Sequence, residues 1–123
     1  MGEAARVLVV EDDDDVRSTI MEILEDAGFD VRGASDGRDA LDQLASSPDL
    51  PSLILLDLLM PVLDGAGFRA AQSKDPRIAP IPVVVVSANS ELRKTAERLG
   101  AAAHLAKPLS LEDLLRTVRA YAK

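Results

Sequence analysis

Five polar residues stand where short apolar runs of the chain end, and together their side chains could support chemistry. Glu11 and Asp12 follow the run Val-Leu-Val-Val, and Asp57 follows Leu-Ile-Leu-Leu. Ser87 follows four valines, and Lys107 follows a shorter run. Apolar runs of this length, rich in β-branched residues, are typical of strands buried on both faces of a parallel sheet. We therefore expect the five side chains to converge at the carboxyl ends of strands.

Three carboxylates at one edge of a sheet repel one another, which raises their pKa values unless a positive charge neutralises them. A divalent cation would supply that charge, and oxygen ligands with room for water favour Mg²⁺, which often bridges carboxylates to a phosphate. We therefore expect Mg²⁺ near these acids, with Lys107 as a second positive charge.

A carboxylate whose charge is masked by Mg²⁺ can attack phosphorus and form an aspartyl phosphate, because phosphoryl transfer depends on positioning and charge neutralisation. We predict Asp57 as this nucleophile. The Ser87 hydroxyl can donate a hydrogen bond to a phosphoryl oxygen once the group is in place. If that bond draws the Ser87 loop inward, the neighbouring helix surface changes, and the site acts as a switch.

Strands and helices are predicted to alternate along the whole chain. Apolar periodicity predicts strands over residues 7–10, 30–34, 53–56, 81–86 and 104–106. It predicts helices over residues 15–27, 37–45, 64–74, 90–99 and 111–122, with Phe68 and Ala71 facing inward from the third. Asp36 and Ser110 are expected N-caps, and Gly28 and Gly100 follow helices as C-terminal caps do.

This alternation predicts an α/β fold, a doubly wound five-stranded parallel sheet with right-handed crossovers and helices on both faces. In open sheets of this kind ligands bind beyond the carboxyl ends of the strands, near the point where the strand order reverses. The polar strand ends therefore coincide with the expected binding site.

The amino-acid composition limits the class of protein and the cellular compartment that can be expected. The 123 residues fit one compact domain, residues 1–123, and 47% hydrophobic residues in strand-sized runs support neither disorder nor a membrane span. The sequence has no cysteine and its first residues form no long apolar stretch, so the cytoplasm is the expected compartment. A net charge of −7, with no cluster of Lys and Arg expected to offset it locally, argues against direct binding of nucleic acid.

Four segments together resemble the receiver domain of bacterial response regulators, and the resemblance spans essentially the whole chain. They are Val-Leu-Val-Val-Glu-Asp-Asp at 7–13, Leu-Ile-Leu-Leu-Asp-Leu-Leu-Met-Pro-Val-Leu-Asp-Gly at 53–65, Val-Val-Ser-Ala-Asn at 85–89 and Lys-Pro-Leu at 107–109. The resemblance implies a flavodoxin-like fold with strand order 2-1-3-4-5. It further implies a phosphorelay in which a histidine kinase or phosphotransfer protein phosphorylates Asp57.

The resemblance also assigns roles to individual residues. Asp12, Asp57 and the backbone carbonyl of Leu59 would bind Mg²⁺ directly, with Glu11 helping through water. Ser87 and Lys107 would hold the phosphate, and the Lys107–Pro108 bond is expected to be cis. Such a domain is a signalling phosphoacceptor, not an enzyme with a separate substrate, although it promotes its own phosphorylation and dephosphorylation. Its output would pass through the surface near the fourth and fifth helices to an unknown downstream protein.

Two positions depart from the commonest pattern of this family. His104 stands where an aromatic residue usually swings inward on activation, and we expect it to be a partly buried structural or switch residue. It is not expected to bind metal, because the chain has no second histidine and no cysteine. Leu59 and Asn89 flank the predicted phosphoryl group. Because apolar Leu59 cannot orient an attacking water, we hypothesise a long-lived phosphorylated state.

Plainer interpretations apply to some of these residues. An isolated acidic run such as residues 11–15 is usually a solvated loop or a helix N-terminal charge bias. Its place after a buried strand favours a site for Glu11 and Asp12, while Asp15 is expected only to cap the first helix. Gly65 and Gly100 are expected to be turn or cap glycines.

Two other functions fit the sequence less well than phosphotransfer signalling. A phosphatase of the haloacid-dehalogenase type also uses a strand-end aspartate, but it typically needs a second acid where this chain has Leu59, and a cap domain. A receiver-like interaction module that works without phosphorylation is disfavoured by the complete set Asp12, Asp57, Ser87 and Lys107, though the unusual His104 leaves it open. Phosphate uptake from acetyl phosphate separates it from a phosphorylation switch.

Overall fold

Five strands and five helices alternate in the computed structural model, which describes residues 5–58, 64–88 and 91–122. The strands are β1 (Arg6–Val10), β2 (Asp30–Ala34), β3 (Leu53–Asp57), β4 (Val83–Ser87) and β5 (Ala103–Ala106). The helices are α1 (Asp14–Asp26), α2 (Gly37–Ser46), α3 (Gly65–Lys74), α4 (Leu92–Leu99) and α5 (Leu111–Tyr121). The predicted α/β alternation is confirmed.

All neighbouring strands are parallel, and their order across the sheet is β2-β1-β3-β4-β5, as predicted. Val10 pairs with Ala34 of β2 on one side and with Leu56 of β3 on the other. The chain runs from β1 to one edge and then crosses to β3, so the strand order reverses between β1 and β3. In a sheet of this type a ligand site is expected beyond these two carboxyl ends.

Two apolar layers cover the sheet, because successive strand side chains point to opposite faces. Every residue of β3 and β4 is buried, which explains why these strands read as unbroken apolar runs. One layer joins the sheet to α2, α3 and α4 through Ala40, Leu44, Phe68 and Ala96. The other joins it to α1 and α5 through Ile20, Leu24, Leu114 and Val118.

Helix α1 starts one residue earlier than the sequence suggested, so the prediction that Asp15 caps it is wrong. Asp13 is the N-cap, and its carboxylate accepts hydrogen bonds from the backbone N–H groups of Asp15 and Val16 at 2.9 and 3.1 Å. Asp15 lies inside the first turn, where its charge still favours the helix N-terminus.

The other predicted helix caps are confirmed. Asp36 and Ser110 accept backbone hydrogen bonds as N-caps of α2 and α5. Gly28 and Gly100 have φ values of 98° and 72°, the left-handed region that glycine enters without strain. The predicted start of α4 at Ser90 lies outside the described residues, and Glu91 precedes the helix without a side-chain cap hydrogen bond.

Three details of burial and strand length differ from prediction. Strand β4 begins at Val83 instead of residue 81, because Pro82 has no N–H to give to a strand ladder. In α3, Phe68 is buried as predicted and Ala71 is half-buried, but the fully buried neighbour is Gln72. His104 is exposed, so the expectation of partial burial is wrong.

The exposure of His104 follows from its place on an edge strand. Leu105 points toward the layer of α1 and α5, so the alternation of β5 directs His104 to the opposite face. On that face the His104 side chain is exposed. No helix in the described ranges is both long enough and apolar enough to cross a membrane.

Candidate functional site

Glu11, Asp12 and Asp57 meet at the point where the strand order reverses. Glu11 directly follows β1 and Asp57 ends β3, and these strands are hydrogen-bonded neighbours. One carboxylate oxygen from each of the three residues lies within 4.8 Å of the others. Glu11 and Asp57 are only 3% and 5% exposed, whereas Asp12 is exposed. The predicted convergence of these acids is confirmed.

Lys107 reaches the two buried carboxylates from the end of β5. Its Nζ lies 3.1 Å from Oε2 of Glu11 and 3.3 Å from Oδ2 of Asp57. Its backbone N–H donates to the Ser87 carbonyl at 3.0 Å, which ties the ends of β4 and β5 together. The Lys107–Pro108 peptide bond is cis, as predicted. One ammonium group thus bridges two acids that would otherwise repel each other.

The surroundings of Glu11 favour its protonated form. Burial raises the pKa of Glu11 to about 7, and the hydrogen bond and negative charge of Asp57 act in the same direction. The hydrogen bond and charge of Lys107 oppose this shift only in part. At neutral pH a cation bound at these carboxylates would compete with partial protonation of Glu11.

The same contacts keep Lys107 charged. Burial alone would lower the pKa of Lys107, but the hydrogen bond to Glu11 and the charges of Asp57 and Glu11 outweigh it, so the pKa is raised. The Lys107 side chain is therefore positively charged at neutral pH.

Arg17 supports the loop that carries Glu11 and was not singled out from the sequence. Its Nη1 donates to the Glu11 carbonyl at 2.9 Å, and its Nη2 lies 2.5 Å from Oδ1 of Asp14. The Asp13 N–H also donates to Oε1 of Glu11 at 3.3 Å. The only hint in the sequence is a lone basic residue two positions after the acidic run.

An open pocket of about 270 Å³ lies above these carboxylates. It is lined by Glu11, Asp12, Asp13, Val16, Asp57, Ser87, Ala88 and Lys107. The structure therefore brings Ser87 to the same pocket as the three acids, as predicted. Leu59 and Asn89, which the sequence placed beside the phosphoryl group, lie outside the described residues.

A larger apolar groove of about 400 Å³ adjoins this pocket between α1 and the start of α5. Val16 and Lys107 line both spaces. The groove walls are mainly aliphatic, with Ile20, Ile23 and Leu114 among them, and Leu111 beside them is 55% exposed. No local sequence pattern predicts this groove, because its walls come from two helices distant in the chain.

The donor set fits a hard divalent cation. Its side-chain ligand atoms are carboxylate oxygens alone, the type that Mg²⁺ and Ca²⁺ prefer. Three acids face one lysine, so negative charge is left for a cation to neutralise. His104, the one histidine in the sequence, is exposed on β5 and is not in this group.

Comparison with known proteins agrees with the fold. Residues 7–119 match the family model described as the response regulator receiver domain. The chain is 38% identical over 117 residues to the response regulator MprA of Mycolicibacterium vanbaalenii, covering 94% of this chain and 49% of the relative. It is 34% identical over 114 residues to the transcriptional regulatory protein PdtaR of Mycobacterium tuberculosis, covering 92% and 54%.

Solved structures of similar size superpose along nearly the whole chain. A putative response regulator from Chloroflexus aurantiacus gives a TM-score of 0.89 at 28% identity, covering 98% of both chains. The Vibrio cholerae chemotaxis protein CheY4 gives 0.86 at 30% identity, covering 96% of this chain and 98% of that chain.

This chain therefore belongs to the response regulator receiver family, the signalling domains of two-component systems that pair with histidine kinases. It spans about half the length of the curated relatives it matches. The flavodoxin-like architecture expected from the resemblance is confirmed.

Proposed function

We propose that residues 1–123 form a phosphoacceptor receiver in which Asp57 takes a phosphoryl group and Ser87 and Lys107 hold it. The observation that carries the proposal is the placement of the Lys107 ammonium within 3.3 Å of Asp57, in a pocket that Ser87 also lines. A fixed cation and a hydroxyl beside a buried carboxylate are the groups needed to stabilise a phosphoryl group there.

The transfer is a displacement at phosphorus. An Oδ atom of Asp57 forms the new P–O bond while the P–N bond of a phosphohistidine breaks. The imidazole nitrogen keeps the electron pair of that bond and takes a proton from solvent. Attack of water on the aspartyl phosphate later releases inorganic phosphate and restores the carboxylate, so the domain returns to its starting state.

Glu11, Asp12 and Asp57 fit a bound Mg²⁺, with the Leu59 carbonyl as a further ligand suggested by the family pattern. When bound, Mg²⁺ supplies positive charge that lets the anionic carboxylate and phosphoryl oxygens approach one another. Lys107 adds its own charge to the same end of the pocket. Burial of Asp57 limits access of water to the acceptor atom.

Ser87 and His104 are proposed to carry the change outward. Ser87 ends β4 and pairs with Ala106 of β5, and His104 pairs with Val85 two residues earlier in the ladder. Inward movement of the Ser87 hydroxyl toward a phosphoryl oxygen would act directly on the chain leading to α4. His104, exposed on the same edge, has space to change its position when that segment moves.

The phosphodonor is proposed to be a histidine kinase or a phosphotransfer protein that covers the pocket and the adjoining groove. Its phosphohistidine must approach Asp57 closely, so the donor surface has to cover the pocket rim. The aliphatic groove beside Lys107 offers apolar area for that contact. The downstream partner is proposed to be a protein that reads the surface near α4 and α5.

Intact-protein mass after incubation with acetyl phosphate and Mg²⁺ tests the proposal. We expect one phosphoryl addition that is lost in Asp57→Asn and in the presence of a chelator. Asp42→Asn, an exposed aspartate on α2, serves as the matched control and should be phosphorylated normally. Absence of the adduct with acetyl phosphate and with a kinase would favour the phosphorylation-independent module instead.

A further inference from the structure

The backbone of Glu11 is held by hydrogen bonds on both sides. Its N–H donates to the Ala34 carbonyl at 3.0 Å, at the end of β2. Its carbonyl accepts from Nη1 of Arg17 at 2.9 Å. This carbonyl belongs to the planar peptide unit that leads to Asp12. The direction in which the exposed Asp12 carboxylate leaves the loop therefore depends on where the carbonyl is held.

Arg17 is well placed to hold this peptide. It lies near the start of α1, where side chains lean back toward the N-terminus of the helix and so toward the end of β1. Only 20% of the Arg17 side chain is exposed, and its Nη2 lies 2.5 Å from Oδ1 of Asp14. Because Asp14 offsets the positive charge, we expect Arg17 to act on the loop mainly through its hydrogen bond to Glu11.

Gly33 on β2 leaves room for the Arg17 side chain. A Cβ atom at Gly33 would lie 3.1 Å from Cδ of Arg17 and 2.7 Å from Sδ of Met21, whereas carbon atoms pack best at about 3.5–4.0 Å. The strand is fixed here, since Gly33 pairs with Val9 of β1 and its carbonyl accepts from Nε2 of Gln43 at 2.9 Å. A larger residue at this position would therefore displace the side chains of α1.

We propose that Arg17 is a positioning residue for Mg²⁺: through the Glu11 carbonyl it holds Glu11 and Asp12 in the arrangement that binds the cation, and Gly33 allows it to do so. Arg17 does not line the pocket above the carboxylates, so it acts through the loop. Groups that orient metal ligands without touching the metal often decide the affinity of a site. The inference rests on the proposed function for the use of Mg²⁺, but it concerns metal affinity alone.

The sign of the effect separates positioning from simple charge repulsion. If Arg17 acted only as a nearby positive charge, its removal would strengthen Mg²⁺ binding. If it positions the loop, its removal weakens binding. Arg17→Lys extends this test, because it keeps the charge but loses the planar group that contacts Glu11 and Asp14 together. We expect Arg17→Lys to bind Mg²⁺ more weakly than wild type, whereas a pure charge effect predicts no change.

Isothermal titration calorimetry with Mg²⁺ at pH 8 tests the proposal on the full chain. Arg17→Met should bind Mg²⁺ about tenfold more weakly. Arg116→Met is the matched control, because Arg116 also pairs with an aspartate three residues earlier, Asp113 at 3.1 Å, but is exposed on α5. It should keep wild-type affinity. Circular dichroism shows which variants are folded, and the smaller change Arg17→Lys keeps the test available if Arg17→Met is not.

The role of Gly33 is tested by combining substitutions. Gly33→Ala should weaken Mg²⁺ binding in the wild type but have no further effect in Arg17→Met, because both changes act through the same contact. A second measurement needs no metal: the amide hydrogens of Glu11 and Asp13 should exchange faster in Arg17→Met than in Arg116→Met. Both amides donate hydrogen bonds within this loop region.

Unchanged or tighter Mg²⁺ binding in folded Arg17→Met would overturn the proposal, as would independent losses from Arg17→Met and Gly33→Ala. Phosphorylation by acetyl phosphate is measured separately. A wild-type protein that takes no phosphate but loses Mg²⁺ affinity on Arg17→Met would contradict the proposed function alone. A wild-type protein that is phosphorylated, with Mg²⁺ affinity unchanged on Arg17→Met, would contradict only the role of Arg17.

Discussion

The Nε atom of Arg69 on α3 donates a 2.9 Å hydrogen bond to the carbonyl of Leu99, the last residue of α4. Its Nη1 donates to Oε1 of Gln72 at 3.2 Å. Gln72 is fully buried, and its Nε2 donates to the carbonyls of Ile78 and Ile81 at 2.9 and 3.0 Å. The C-terminal end of α4 is thus tied through α3 to the loop before β4, while its N-terminal end follows the Ser87 segment.

Replacing Gln72 by Leu should destabilise the protein by about 2 kcal/mol, because two backbone carbonyls lose a buried donor. The free energy of unfolding from urea titrations measures this loss. Gln43→Leu is the matched control, since Gln43 also donates to a backbone carbonyl but is only half-buried. If both substitutions lowered the free energy of unfolding equally, burial of Gln72 would not be the reason for the loss.

The titration of Glu11 should make metal-free stability depend on pH. Its pKa is about 7 in the folded protein and about 4.3 in an unfolded chain, so between these values the folded state holds the extra proton. The contribution of Glu11 to the free energy of unfolding is therefore fully present below pH 4.3 and falls as pH rises toward 7.

Urea unfolding in EDTA at pH 5.5 and 7.5 measures this contribution. Glu11→Gln should remove this part of the pH dependence, whereas Glu22→Gln, an exposed glutamate on α1, should not. Parallel pH profiles for wild type and Glu11→Gln would show that Glu11 titrates normally in the folded state.

Replacing Lys107 by Met should tighten Mg²⁺ binding by about tenfold at pH 8, because the ammonium competes with the cation for Glu11 and Asp57. Isothermal titration calorimetry gives the affinity. Lys94→Met removes the same charge from the exposed face of α4 and should leave Mg²⁺ affinity nearly unchanged. Weaker binding in Lys107→Met would mean that the lysine organises the carboxylates more than it competes for them.

Replacing Leu59 by Asn should shorten the lifetime of the aspartyl phosphate severalfold, because an amide can orient the attacking water that an apolar side chain cannot. Decay of the phosphorylated mass after removal of the donor measures the lifetime. Leu111→Asn, at an exposed position on α5, should decay like wild type. Fast decay in wild type that Leu59→Asn leaves unchanged would refute the hypothesis.

The sequence predicted the fold well because its main signals are local. The runs before Glu11, Asp57 and Ser87 are apolar on both strand faces, and a parallel sheet requires that pattern. Once the strands are parallel, their polar ends must meet. The convergence of the carboxylates with Lys107 was therefore predictable without coordinates, while the exact strand order came from the family resemblance.

Other features depend on contacts between distant segments, which no local pattern records. Gln72 can be buried because two carbonyls of the loop after α3 accept hydrogen bonds from its side chain. Its polarity alone would predict an exposed position. The exposure of His104 depends on how far α4 covers the edge of the sheet. The choice of Asp13 over Asp15 as N-cap was ambiguous because either aspartate could have capped the helix.

The pairing of β1 with β3 also bears on how the chain folds. Val7 is paired with Leu53, so α1, β2 and α2 lie in the chain between the interior strand β1 and its second neighbour β3. Closing a loop of this length costs conformational entropy before the contacts that offset the cost have formed. We expect refolding to be slower than in helical bundles of this size, with collapse of β1, α1 and β2 preceding the docking of β3.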